Sequence, residues 1–150
     1  IVMKCPVCRE TNNEVYNTRT TRFGTQTWRR RRCLSCDASF TTYEQPDLKF
    51  LKILGDTSKK TTPYSRATLF SSVYGAFSGS PAKPSVIDAV TDNIESKLLD
   101  LQDHTITTQQ ITDIVLSTLK HFDSAAFLRY LSDHVNLDSP GAMRQHLKKY

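Results

Sequence analysis

The sequence predicts an α+β protein in two parts: a small β-rich cysteine module, then a β-hairpin cap on a bundle of about four helices. Three observations lead there. All four cysteines (Cys5, Cys8, Cys33, Cys36) fall in the first third of the chain, and all four histidines lie at or beyond His104. Residues 1–46 carry eight Lys/Arg against four Asp/Glu, whereas the remaining 104 residues carry twelve against eleven. The apolar pattern changes from strand-like to helical after Tyr64. A boundary is expected at Gln45-Pro46-Asp47, giving a module over 1–46, a second domain over 47–136 and a loose or partner-binding tail over 137–150.

The first module buries too little apolar surface to fold unaided and needs a covalent or metal staple. Cys5-x-x-Cys8 and Cys33-x-x-Cys36 stand 24 residues apart. Each pair forms a tight thiolate knuckle, and two knuckles present four soft ligands tetrahedrally to Zn2+. A thioredoxin-like role requires one such pair in a βαβ unit, and two disulfides suit a secreted chain. Structural zinc is therefore the expectation. Four protein ligands leave no open position for an activated water.

Between the knuckles, Glu14 to Arg19 reads as a strand, Phe23-Gly24 as a turn and Thr25 to Arg32 as the returning strand. Ser39 to Tyr43 makes a third. Alternation puts Trp28, Arg30 and Arg32 on one face of the second strand and Arg29 and Arg31 on the other, beside Cys33. Four consecutive arginines in so small a fold repel one another, and no acid lies between Glu14 and Asp37 to neutralise them. The guanidinium fork matches phosphate oxygens and the guanine edge, and a β-ribbon enters a major groove. Arg19, Arg22 and Arg29 to Arg32, with Trp28, Thr41 and Thr42, form the candidate interface for double-stranded DNA. Five arginines on phosphates would give a slope of about −4.5 in log K against log salt.

Farther along, Leu48 to Leu54 and Lys59 to Tyr64 read as a hairpin around Gly55-Asp56. Leu69, Val73 and Phe77 follow Ser65 at helical spacing and stop at Gly79-Ser80-Pro81. Ile87, Val90, Ile94, Leu98 and Leu101 form one stripe of a helix starting near Ser85. Thr107-x-x-Gln110 is a capping box ahead of Ile111, Ile114, Val115, Leu119 and Phe122. A last helix from Ser124 is expected to bury Phe127, Leu128, Leu131 and Val135.

No phosphate loop, nucleophile elbow or paired histidines at helical spacing occur, so the expectation is a non-enzyme. No apolar run reaches the roughly 18 residues a spanning helix needs. Met3-Lys4-Cys5 reads as a natural start, with Ile1-Val2 an upstream extension. The absence of a secretory leader points to the cytoplasm.

Taken together, these residues resemble one family. Met3-Lys4-Cys5-Pro6-x-Cys8, Val15 to Arg19, the arginines before Cys33-Leu34-Ser35-Cys36, and Phe40-Thr41-Thr42-Tyr43-Glu44 are similar to the zinc ribbon of the bacterial ribonucleotide reductase regulator (NrdR) family of repressors. That family continues into an ATP-cone, a β-cap on a helical bundle. The resemblance implies Zn2+ on the four cysteines, operator DNA at the ribbon, ATP and dATP as regulatory ligands of the cone, and a homo-oligomer. Its nucleotide-binding positions fall on Lys52, Gly55, Tyr64, Arg66, Phe127 and Arg129.

The sequence departs from the family pattern in places. Trp28 stands where the family has its first arginine, Arg32 replaces a polar or acidic spacer, and Asn17-Thr18 replaces Asp-Ser. In the cone, Ile53 stands for an arginine and Thr68 for a lysine, which leaves Lys59, Lys60 and Arg66 to compensate. The resulting expectation is a zinc-dependent repressor of ribonucleotide reductase genes regulated by ATP and dATP. Two alternatives stay open: a zinc-ribbon nucleic-acid binder whose degenerate cone only oligomerises, and a non-catalytic allosteric subunit of a nucleotide-metabolising enzyme.

Overall fold

Between the cysteine pairs the chain runs out and back as β1 (Asn13–Thr20) and β2 (Thr27–Cys33), and β3 (Ser39–Glu44) returns along β2. The computed structural model describes residues 3–20, 24–56 and 59–150. It divides into two compact units, 1–47 and 48–150. In the first, the three strands form an antiparallel sheet in chain order. The β1–β2 register shifts between Val15 and Asn17, which makes Tyr16 the bulged residue. Bulges re-aim a side chain, and this one lets the Tyr16 hydroxyl reach Arg30 on β2.

The two knuckles close in the same way. Cys5 N–H donates to Glu10 O (2.8 Å) and Arg9 N–H to Cys5 O (2.9 Å); Cys33 N–H donates to Ala38 O (2.9 Å) and Asp37 N–H to Cys33 O (3.0 Å). In each, the residue four after the first cysteine takes a left-handed conformation, with φ of 67° at Arg9 and 58° at Asp37. A non-glycine residue there is strained and persists where its surroundings over-determine it.

The second unit opens with a 3-10 turn (Leu48–Phe50), then β4 (Lys52–Leu54) and β5 (Thr61–Pro63), which pair antiparallel. Sequence reasoning expects a strand from Leu48; instead Leu48 and Leu51 are buried by the turn. The expected hairpin is also incomplete as a description. A third strand, β6 (Thr105–Thr107), lies parallel to β4, with Ile53 beside Ile106. Three residues are too few to show alternation, so β6 emerges only when the chain returns to the cap.

Four helices carry the core: α1 (Arg66–Ala76), α2 (Pro84–Asp100), α3 (Thr108–Phe122) and α4 (Ser124–His134). Ser65 accepts from Thr68 N–H at the start of α1, and the Thr107/Gln110 capping box at α3 is fully formed. Ile87, Val90, Ile94 and Leu98 are buried along α2, facing Val73, Val115, Leu116, Leu119, Phe127 and Leu131 in one core. Three expected core residues are exposed: Leu101 caps α2, Phe122 ends α3, and Leu128 faces outward on α4. On α4 the buried stripe is Ala126, Phe127, Tyr130 and Leu131, and a helix of 3.6 residues per turn carries Leu128 off that face.

Where a loose tail or a partner-binding segment is expected, Ser139 caps a further helix, α5 (Pro140–Lys149), with Pro140 at its first position. Its end is clasped to α3. Lys149 Nζ pairs with Asp113 Oδ1 (2.9 Å), the Tyr150 hydroxyl donates to the same carboxylate, and Gln109 Nε2 donates from one turn earlier (2.8 Å). The Tyr150 ring meets Phe127 edge-on at 6.3 Å. Burial acts to raise the Asp113 pKa, but hydrogen bonds from Tyr150, Lys149 and Gln109 outweigh it and hold the carboxyl below its ordinary value. A depressed carboxylate stabilises the fold above its unfolded pKa, and that stabilisation is lost as pH falls through the folded value.

Asp113→Asn is therefore expected to speed amide exchange over 140–150 at neutral pH while leaving 108–134 protected. Thr107→Ala is expected to lower stability by about 1 kcal/mol in denaturant unfolding, through loss of the cap.

Candidate functional site

The four cysteine sulfurs lie within 4.8 Å of one another, and none is in a disulfide. Cys5 Sγ is 3.8 Å from Cys36 Sγ, and Cys8 Sγ is 3.5 Å from Cys33 Sγ. A disulfide would require about 2.05 Å. Zinc–sulfur bonds of about 2.3 Å in a tetrahedron give edges of about 3.8 Å, so the cluster matches a zinc site in size and donor chemistry. Knuckle amides tune it. At Cys33 burial opposes ionisation, but hydrogen bonds from the Ser35 and Cys36 amides and the neighbouring thiols prevail and bring its pKa down to about 6. At Cys8 the backbone bond at Glu10 lowers the pKa, while desolvation and the other thiols push it up to about 12. Neighbouring thiols thus oppose ionisation at Cys8, and a coordinated dication would offset that opposition.

The cluster anchors β2 at Cys33, and strand alternation then divides the arginines. Arg29 Nη2 pairs with Glu44 Oε2 (3.0 Å), and its Nε is enclosed with no acceptor among the described residues. Arg31 donates from Nε to Thr42 Oγ1 (3.1 Å) and from Nη1 to Asn13 Oδ1 (3.2 Å). Both are half-buried and hold the sheet together. Arg30 and Arg32 are exposed on the opposite face; Arg32 reaches Asp37 (2.9 Å) in a solvent-exposed pair, and Arg30 Nε donates to the Tyr16 hydroxyl (3.1 Å). Arg19 lies over the half-buried Trp28 ring at 5.7 Å. Thr41 sits opposite Arg30, and Thr42 serves Arg31. Arg22 lies outside the described residues. The sequence therefore placed the faces of β2, but not the uneven freedom of their cations, which depends on Glu44, Thr42 and Asn13 arriving from neighbouring strands.

In the second unit the six nucleotide candidates do not form one cluster. Lys52 is exposed on β4, with Gly55 just beyond the strand. Tyr64 is buried and donates to Glu95 Oε1 (2.8 Å); burial, then the Glu95 carboxylate, raises its pKa. Arg66 meets three carboxylates of α2: Asp88 (2.6 Å), Asp92 (2.8 Å) and Glu95. Phe127 belongs to the core. Arg129 Nη1 donates to Ala76 O (3.3 Å), at the far end of α1. Ten residues of helix put Arg66 and Arg129 about 15 Å apart along α1. Sequence reasoning missed the acids on α2, although Asp88, Asp92 and Glu95 recur at helical spacing and so read as one charged face.

The description "Transcriptional repressor NrdR-like, N-terminal domain" matches residues 3–44, and "ATP cone domain" matches residues 57–137. The transcriptional repressor NrdR of Cupriavidus necator is 34% identical over 148 residues, covering 99% of this chain and 95% of the relative. The chain belongs to the NrdR family of transcriptional repressors. Its NrdR relative from Cupriavidus pinatubonensis is 38% identical over 130 residues, 87% of this chain and 84% of that one. That of Paracidovorax citrulli is 33% identical over 136 residues, 91% of each. The matched regions correspond to the α+β architecture described above, with a zinc ribbon ahead of an ATP-cone. Among the described residues no helix is long and apolar enough to cross a membrane.

Substituting any one of the four cysteines by serine, or chelating the metal, is expected to unfold the ribbon, since metal binding supplies roughly 10–16 kcal/mol of apparent free energy to such modules. The helices of the second unit should survive. Zinc released per chain and far-ultraviolet circular dichroism check both halves of the expectation.

Proposed function

We propose that this protein is a zinc-dependent transcriptional repressor, not an enzyme, that grips operator DNA of ribonucleotide reductase genes with its ribbon. The observation that carries this reading is the four-thiolate cluster holding β2 with Arg30 and Arg32 turned outward. Arg19 shares their face, while Arg29 and Arg31 are committed to the sheet. Arginines oriented by a rigid support contact phosphates and base edges with little ordering cost. A homo-oligomer would place several ribbons on one operator.

The cone supplies the control. ATP and dATP would bind with phosphates toward Lys52 and the turn after it, and would shift assembly only if the two nucleotides differ in affinity for two oligomeric states. Arg66 can join them only by leaving three carboxylates. That occupancy, with Ile53 and Thr68 in place of cations, favours a second reading in which the cone oligomerises without sensing nucleotide.

Calorimetric titration with ATP and dATP, with mass followed by light scattering, separates the two. Heat and a change of mass that differs between the nucleotides are expected; no heat and no change of mass would leave the oligomerising cone. Three outward arginines per ribbon are expected to give a salt slope of about −2.7 for each ribbon engaged, shallower than five would. A flat response would remove DNA phosphate binding.

A further inference from the structure

Duplex reading leaves part of the ribbon's outer face unexplained. Tyr43 is 62% exposed and Tyr16 54% exposed, and both lie on the face that carries Arg30 and Arg32. The register makes one cross-strand row of Arg19, Trp28 and Tyr43. In the next row along β2, Arg30 bonds the Tyr16 hydroxyl. That bond places the Tyr16 side chain beside Arg30, and hydrogen bonding with Ser39, against the opposing effect of burial and with help from Arg30 and Arg32, holds the phenol's pKa below its ordinary value. Scattered exposed tyrosines are normal on a protein surface. Here two tyrosines and a tryptophan share one small sheet face with three arginines.

A duplex covers the flat faces of its bases by stacking and offers a groove only their edges. Two exposed tyrosine rings and a half-buried tryptophan among arginines match what single strands present instead: unstacked bases that lie on aromatic side chains while phosphates meet the surrounding cations. We infer that the outer face of the ribbon, formed by Arg19, Trp28, Arg30, Arg32, Tyr16 and Tyr43, also binds single-stranded nucleic acid by base stacking. This rests on the reading of the ribbon as a nucleic-acid binder and adds a second class of ligand to it. The occupant is argued from charge and ring together: cations alone would take any polyanion, and rings alone would take any apolar surface.

Trp28 is the only tryptophan in the chain, so its fluorescence reports on this face directly. The full-length, zinc-loaded protein is titrated at one salt concentration with a single strand of twelve thymidines, an abasic strand of equal length and charge, and a duplex operator fragment. The thymidine strand is expected to quench Trp28 and to bind at least about tenfold tighter than the abasic strand. Tyr43→Ala should weaken thymidine binding about 5- to 150-fold, Tyr43→Phe should retain it, and both should keep full zinc content and their duplex affinity. Equal binding of the thymidine and abasic strands, or no effect of Tyr43→Ala, overturns the inference. If the duplex still binds in that case, only the stacking surface falls. If neither nucleic acid binds, the nucleic-acid reading of the ribbon falls with it.

Discussion

Four sulfurs converging on one point are the constraint from which the rest of the ribbon follows. A segment of this size has almost no apolar interior; among its buried residues are Cys5 and Cys33 themselves. With the thiolates tied to one cation, two knuckles fix the ends of the sheet and tolerate left-handed backbone at Arg9 and Asp37. The sheet can then carry four adjacent arginines whose mutual repulsion an untethered hairpin would not withstand. Cys33 also ends β2, so the metal sets the alternation that sends Arg29 and Arg31 to one face and Arg30 and Arg32 to the other.

The second unit is built on a different principle, a helical core closed by a small mixed sheet. Its ionic chemistry is concentrated where α1 meets α2, with one guanidinium facing three carboxylates and a buried tyrosine hydroxyl on Glu95. Such a network fixes the start of α1 against α2 and leaves Arg66 little freedom for other anions. A nucleotide that recruited Arg66 would loosen that helix pair, a local change able to bias assembly. One that relied on Lys52 alone would leave the bundle as it is.

Much of this is legible in the amino-acid sequence alone. The paired cysteines announce their own chemistry, the Thr107/Gln110 box marks the start of α3 to the residue, and the α2 stripe from Ile87 to Leu98 is buried as its period predicts. What was not legible depends on distant partners. β6 is three residues that become a strand only beside β4. α5 has no buried residue, and its end is clasped through Asp113, more than thirty positions earlier. The division of the arginines was readable from alternation, but the capture of Arg29 and Arg31 depends on Glu44, Thr42 and Asn13. Leu128 is exposed beside the buried Phe127 because neighbouring residues on a helix need not share a face.

The central claim is that the metal-fixed sheet uses its outward arginines on nucleic acid and its inward ones on itself. Comparing Arg30→Ala with Arg31→Ala in the full chain, by the salt dependence of operator affinity and by thermal stability of the zinc ribbon, tests it most directly. Arg30→Ala should make the slope shallower by about 0.9 per ribbon with unchanged stability, whereas Arg31→Ala should keep the slope and lower stability. Equal loss of slope from both substitutions, with stability unchanged, would contradict the account.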